Sequence, residues 1–289
     1  MSIHWFPGHM AKAKRLLLES VKLVDVIVEL RDARIPLASA NPLLDKIIGK
    51  KARIVALAKT DLANSEQTKA WLAYLEKVER VKAIGLNLKR QHEASRLLLP
   101  QISALADPLV PRSKQGNVRL RPARAMIVGI PNVGKSTLIN SLAGKSTAKT
   151  GSLPGVTRSK QWIKLSDSSE LLDTPGILWP KLDDVLVARK LAITGAIGQG
   201  GFDEYELAAW LLRYLADHFP MLLERYRLAS LDLAGEELLQ AVGRARGCLV
   251  GGGDVDLQRA ADIVLTEFRT GKMGQITLES PPGRSSGNV

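Results

Sequence analysis

The sequence predicts an α/β chain: a three-layer, doubly wound and largely parallel sheet, followed by a small all-helical region. Three observations carry this prediction. Short apolar, β-branched runs alternate with longer stretches of helical spacing between Met10 and Asp173, the pattern of strands joined by crossover helices. A glycine-rich turn of the form GxxxxGK[ST], Gly129 to Ser136, sits between one such strand and one such helix. From about Asp184 the strand-like runs stop, and only helical periodicities separated by glycine or proline remain.

The elements follow in order. Met10 to Leu23 has helical spacing, and Asp25 to Leu30 reads as a buried strand ending at Arg31-Asp32-Ala33-Arg34-Ile35-Pro36. Asn41 to Lys50 is helical, Arg53 to Ala58 is a second strand, and Asn64 to Arg80 is a helix opened by an Asn-Ser cap. A short strand at Val81 to Ile84 precedes a helix within Gln91 to Ala106. Asp107 to Arg124, with prolines, a Gly-Asn pair and basic residues but no period, reads as an exposed linker that could order on RNA. Ala125 to Gly129 is then a strand, Lys135 to Ala143 a helix, and Gln161 to Leu165 and Leu171 to Asp173 two further strands. Helices are expected at Asp184 to Ile197, Glu204 to Phe219, Gly235 to Arg246 and Asp254 to Thr270, with a frayed end from Pro281 to Val289. The division expected is 1–180 for the α/β domain, including a basic linker at about 107–124, and 181–289 for the helical domain.

Composition bounds the function. With 45% apolar and 24% charged residues among 289, the chain is of the soluble globular class. A single cysteine, Cys248, allows neither an intrachain disulfide nor a CxxC zinc site. No apolar run reaches the roughly 18 residues needed to cross a bilayer, and Met1 to Met10 lacks the features of a secretory signal. The expectation is a cytoplasmic protein without a membrane partner. The net charge of +12 is unevenly placed: residues 1–124 hold 23 Lys and Arg against 11 Asp and Glu, whereas residues 125–289 hold 18 of each. Such asymmetry favours a polyanion, because neutralising phosphates releases counterions, although a solvated basic surface explains the charge equally well.

The phosphate site is the strongest motif. In Gly129-Ile130-Pro131-Asn132-Val133-Gly134-Lys135-Ser136-Thr137 the glycines let the backbone wrap an anion, and amides at the helix N-terminus point at it. Lys135 reaches the terminal phosphates and Ser136 ligates Mg²⁺. Downstream, Asp173-Thr174-Pro175-Gly176 lets Asp173 reach Mg²⁺, usually through water, while the Gly176 amide meets the γ-phosphate. Thr157, in the loop Leu153 to Thr157, could ligate Mg²⁺ only when the γ-phosphate is present, which supplies an order–disorder switch. Guanine selection needs an Asp that accepts from N1–H and the exocyclic amine. Ala58-Lys59-Thr60-Asp61, at a strand end, is the candidate, but it lies upstream of the P-loop; a solvated helix cap is the plain alternative for Asp61.

Taken together, Trp5 to Met10, Asp32 to Pro36, Lys59-Thr60-Asp61, Gly129 to Thr137 and Asp173 to Pro180 resemble the circularly permuted GTPases of the ribosome biogenesis GTPase A (YlqF/RbgA) family, over nearly the whole chain. The resemblance implies a permuted P-loop NTPase that binds GTP or GDP with Mg²⁺, acts late in assembly of the large (50S) ribosomal subunit and contacts its rRNA. It makes 1–180 the nucleotide-binding domain and 181–289 a helical domain that meets RNA or the ribosome, and a monomer off the ribosome is expected. Two departures stand out. Ala58 replaces the Asn that braces the base loop in the family, which should weaken guanine binding, and the guanine-loop position is occupied by Leu86-Asn87 rather than a small polar run.

The position where a Ras-like enzyme carries its water-positioning Gln is Ile177, so another group must orient water. By resemblance His9, after the Pro7-Gly8 turn, takes that role, with Lys135 and Thr157 completing the catalytic set. Asn132 resembles the residue that helps bind K⁺ in potassium-stimulated GTPases, where the cation supplies charge that an arginine finger gives elsewhere. Arg31 and Arg34 could touch RNA or pair with acidic neighbours. The competing readings are a small-molecule P-loop kinase and an RNA-binding scaffold with weak or no turnover.

Overall fold

In the computed structural model the described residues are 3–4, 15–90, 92–112, 121–144, 161–173, 181–182, 184–197 and 202–283, without the side chains of 3, 4, 161, 173, 181, 182, 222 and 223. A six-stranded sheet in the order β4-β3-β2-β5-β7-β6 forms its frame. The strands are β2 (Val26–Asp32), β3 (Ala52–Ala58), β4 (Lys82–Leu86), β5 (Ala123–Gly129), β6 (Gln161–Ser166) and β7 (Ser169–Asp173). Five run parallel, and β6 returns antiparallel along β7. Side chains alternate across the central strands because the strand period is two. Ile27, Met126, Val128 and Leu172 face one way, under the helical segment 15–21 (α1) and α2 (Pro42–Ile48), while Val55 and Leu57 meet Trp71 and Leu75 of α3 (Ser65–Lys77). Val26, Val28, Ile54, Ile127 and Leu171 face the other layer, α4 (Glu93–Ala106) and α5 (Lys135–Ala143). The three-layer α/β class is therefore observed.

Strand order explains how a permuted chain assembles a normal site. From β2 the chain steps outward through β3 to β4, then returns so that β5 pairs with the other side of β2. The order of strands reverses between β2 and β5, and the loops leaving their C-terminal ends diverge there. Motifs far apart in sequence thus leave one edge of the sheet side by side.

Helices α6 (Val185–Ile193), α7 (Glu204–His218), α8 (Gly235–Ala245) and α9 (Leu257–Thr270) follow, with a 3-10 segment at Pro220–Tyr226. Asp184, Asp203 and Asp256 cap three of these helices by accepting from amides of the first turn. Leu211, Leu215, Leu238, Val242, Val264 and Phe268 close their common core.

Several boundaries differ from expectation. The helix expected to reach Arg80 stops at Lys77, and Arg80 turns into the left-handed region at φ 54°. The linker is shorter than 107–124, because Val110 is buried in the core and β5 begins at Ala123; 113–120 lie outside the described residues. A two-residue pair, β1 (Ile3–His4) with β8 (Lys181–Leu182), was not anticipated, being too short to show a period. Of the end expected to fray, 284–289 lie outside the described residues.

Candidate nucleotide site

The P-loop leaves β5 at Gly129, beside the end of β2. A Cβ at Gly129 would lie 2.5 Å from the Leu30 carbonyl oxygen, so only glycine lets the two strand ends approach this closely. Asn132 and Gly134 then take positive φ values of 55° and 113°, and Gly134 opens α5 with no side chain among the described residues capping it. First-turn amides of a helix have no intrahelical acceptors. An uncapped nine-residue helix behind a glycine turn is therefore a seat for an anion. Lys135 Nζ rests on carbonyls of its own loop, Ile130 at 2.7 Å and Gly129 at 3.1 Å. Val133 is buried, Ser136 is half-buried and Thr137 is exposed at the start of α5.

Asn132 points elsewhere. Its Nδ2 donates to the Gly195 carbonyl at 2.9 Å, just past the end of α6. The last carbonyls of α6 are otherwise met by Arg269, through Ala192 (3.0 Å) and Ile193 (2.9 Å). A P-loop residue thereby shares in capping a helix of the C-terminal part.

The base-recognition loop leaves β3 beside the end of β2. Ala58 is fully buried and its carbonyl accepts from the Ala33 amide at 2.8 Å. A methyl group there offers nothing to the P-loop. Lys59, at φ 61°, places Nζ 3.0 Å from Asp32 Oδ2. Thr60 donates its amide to the Leu86 carbonyl at 3.4 Å, which joins this loop to the end of β4. Asp61 pairs with Lys89 at 2.8 Å; Lys89 is 73% exposed, so this pair is screened and easily exchanged for another donor. In the guanine-loop position Leu86 is buried, the Asn87 amide donates to Glu93 Oε1 at 2.7 Å, and its side chain accepts from the Lys89 amide. Leu88 reaches the P-loop: a Cβ on Gly134 would lie 3.1 Å from its Cδ1. Lys59-Thr60-Asp61, Leu86-Asn87 and Asn132 to Thr137 therefore meet at one edge of the sheet. His9, Thr157, Ile177 and Gly176 lie outside the described residues, and of Asp173 only the backbone, at the end of β7, is described.

Two features escaped the sequence reading. The first is a buried charge network behind the base loop. Arg34 donates Nε and Nη2 to the two oxygens of Asp32, at 2.9 and 2.8 Å, and its own amide also donates to Asp32 at 3.0 Å. Burial penalises the Asp32 carboxylate, but Arg34 and Lys59 outweigh that penalty and hold its pKa well below the ordinary carboxylate range. Arg31 is likewise buried; burial opposes its charge, but Glu29 (3.0 Å) and Glu79 (3.1 Å) more than compensate and raise its pKa. Of the two roles open to these arginines, pairing with acidic neighbours is the one observed.

The second feature is a strap. After α9 the chain returns across the base loop: Gln275 Nε2 donates to the Asp61 carbonyl (3.3 Å), Ile276 to that of Leu62 (3.0 Å) and Leu278 to that of Arg34 (2.8 Å). Glu279 fastens its end, accepting from the Leu37 amide (2.7 Å), the Ala38 amide (3.2 Å) and Lys190 Nζ (3.1 Å), while Trp71 Nε1 donates to its carbonyl. No periodicity marks such a segment, so only the tertiary contacts reveal it.

With this geometry in view, a family model described as 50S ribosome-binding GTPase matches residues 124–203. The chain is 47% identical over 282 residues to ribosome biogenesis GTPase A of Bacillus cereus, covering 97% of this chain and 95% of that one. It is 32% identical over 279 residues to the protein of that name from Thermotoga maritima, covering 96% and 94%. The GNP-bound YlqF structure from T. maritima superposes with a TM-score of 0.69 at 28% identity, covering 94% of this chain and 99% of that one, and a GDP-bound YlqF structure with 0.70, also at 28%, covering 92% and 99%. The permuted order of base loop before P-loop, the sheet that brings them together and this likeness over nearly the whole length agree: the chain is a GTPase belonging to the ribosome biogenesis GTPase A family.

Proposed function

We propose that this GTPase is a switch that binds ribosomal RNA and assists late assembly of the large ribosomal subunit in the cytoplasm, working as a monomer off the particle. The observation that carries the switch is the meeting of the Lys59 to Asp61 loop, the Leu86-Asn87 loop and the P-loop at the reversal point of the sheet. The uncapped start of α5 and the ready Lys135 fit a nucleotide phosphate chain, and Asp61 fits guanine once Lys89 yields. When bound, Mg²⁺ supplies charge neutralisation between the phosphates, with Ser136, Asp173 and Thr157 as its holders. Lys135 turns from its loop carbonyls to the terminal phosphates, and Gly176 offers its amide to the γ-phosphate. His9 positions the attacking water in the place that Ile177 cannot fill. Asn132 would help to hold a K⁺ ion through Oδ1, the atom it does not use in donating to Gly195. Residues 1–180 form the nucleotide-binding domain and 181–289 the helical domain. The strap and the Asn132–Gly195 bond join the two, so that the nucleotide state is felt by the helices.

The test is a titration of GTP, GDP and ATP in K⁺ and in Na⁺, with and without purified large subunits. Tight guanine-nucleotide binding is expected, with turnover rising only when K⁺ and subunits are both present, and Lys135→Ala removing it by about a hundredfold or more. Equal affinity for ATP and GTP with no effect of subunits would overturn the proposal.

A further inference from the structure

The positive charge of this chain is concentrated in residues 1–124, and the fold sorts the described part of it further. We infer that the edge formed by the starts of β4, β3, β2 and β5, opposite the nucleotide loops, is an RNA-docking face that grips phosphates through Lys22, Lys50, Lys77 and Arg80. This inference rests on the reading above that the chain binds ribosomal RNA.

The topology brings these residues together. The four strands are parallel neighbours, with Val26 beside Ala52 and Ala125, and Ile54 beside Lys82, so their first residues share one edge. At about 4.8 Å per strand that edge is roughly 14 Å long before the flanking turns are added. Lys22 lies in the turn entering β2, Lys50 in the turn between α2 and β3, Lys77 at the last position of α3 and Arg80 in the turn between α3 and β4. All four are exposed and none has an ion pair among the described residues.

The acidic groups nearby are already engaged. Asp25 accepts from both Arg121 nitrogens at 2.7 Å, Glu76 pairs with Lys82 at 3.1 Å, Glu79 turns inward to Arg31, and Glu29 is buried between Arg31 and Arg53. The edge is thus left with uncompensated cations. The C-terminal ends of helices do favour cations, but that preference acts equally on the helices of residues 181–289. There Arg213 is paired with Asp217, and Arg225 and Arg246 with Glu267. Residues 181–289 hold 12 Lys and Arg against 15 Asp and Glu, so that part is slightly acidic. A polyanion is therefore met first by the strand-start edge. The helical domain, expected from the sequence to be the RNA-binding part, carries the weaker electrostatic case.

The test compares the unaltered protein with a variant in which Lys22, Lys50, Lys77 and Arg80 are all changed to Gln, and with a control in which the exposed Arg227, Arg244 and Arg259 are changed to Gln. Binding to large subunits and to a transcribed rRNA fragment is measured across salt concentrations, with GTP affinity and melting temperature recorded alongside. Losing four phosphate contacts should lower the slope of log K against log salt by about 3 and the affinity at physiological salt at least about tenfold. GTP affinity should not change, because the edge lies at the far end of the strands. Should the fourfold variant melt early, four single Lys or Arg to Ala variants, each lowering the slope by about 0.7–0.9, replace it. An unchanged slope in the fourfold variant, with the loss appearing in the helical control, would overturn this face while leaving the assembly-GTPase reading intact. If the unaltered protein itself shows no salt-dependent binding to particle or RNA, that underlying reading fails as well.

Discussion

The base end and the phosphate end of the site are held by different physics. At the base end, Lys59 is tied to Asp32, Asp32 to Arg34, and the outer loop lies under the Gln275 to Glu279 strap, so the surroundings of Asp61 are built from buried ion pairs and main-chain bonds. At the phosphate end, Lys135 and Asn132 lean on carbonyl oxygens of the P-loop and of Gly195. Breaking a buried pair costs about 3–5 kcal/mol, whereas giving up one neutral hydrogen bond, such as that of Asn132 to Gly195, costs about 1 kcal/mol or less. On the site assignment proposed above, the difference teaches that the base end is preorganised by buried pairs, whereas the bond of Asn132 at the phosphate end is one that a switch can give up at low cost.

The largest expected effect comes from breaking the base end. Asp32→Asn leaves Arg34 and Lys59 without their carboxylate, and should lower unfolding stability by about 3–5 kcal/mol in denaturant titrations. A loss below about 1 kcal/mol would mean that the network is no anchor. Because the folded-state pKa of Asp32 is depressed, its contribution is complete above the unfolded carboxylate value of about 4 and is lost as pH falls further. The variant should therefore show a shallower loss of stability in acid than the unaltered protein.

A smaller effect tests what that rigidity serves. Asp61→Asn removes a charged acceptor from the guanine edge, and preference for GTP over ATP should fall by about 2 kcal/mol, roughly thirtyfold, with little change in melting temperature. Unchanged selectivity would show that the base is read by another group. The smallest effect belongs to the phosphate end. Asn132→Ala should cost about 1 kcal/mol or less in stability, yet abolish any advantage of K⁺ over Na⁺ in turnover. If the K⁺ advantage survives, Asn132 serves only to bond Gly195, and the contrast between the two ends narrows.

By itself the sequence determined the α/β class, the P-loop, most strands and helices to within a few residues and the permuted motif order, because each is written locally. A strand alternates, a helix repeats every 3.6 residues, and a phosphate loop needs its glycines in fixed places. It determined neither the partner of Arg34 nor the seat of Glu279, because those contacts join residues 2 to 242 positions apart and depend on where burial leaves a charge. Whether Arg31 faced solvent or Glu29 was open in the same way, and only the closed sheet decided it by removing water from both. The sequence also gave the excess of basic residues but not its location. That was settled when parallel strands brought Lys22, Lys50, Lys77 and Arg80 to one edge while the acidic residues found partners of their own. Local patterns fix elements because they are encoded in neighbours, whereas pairing and field are sums over distant parts of the chain, and only the tertiary fold evaluates them.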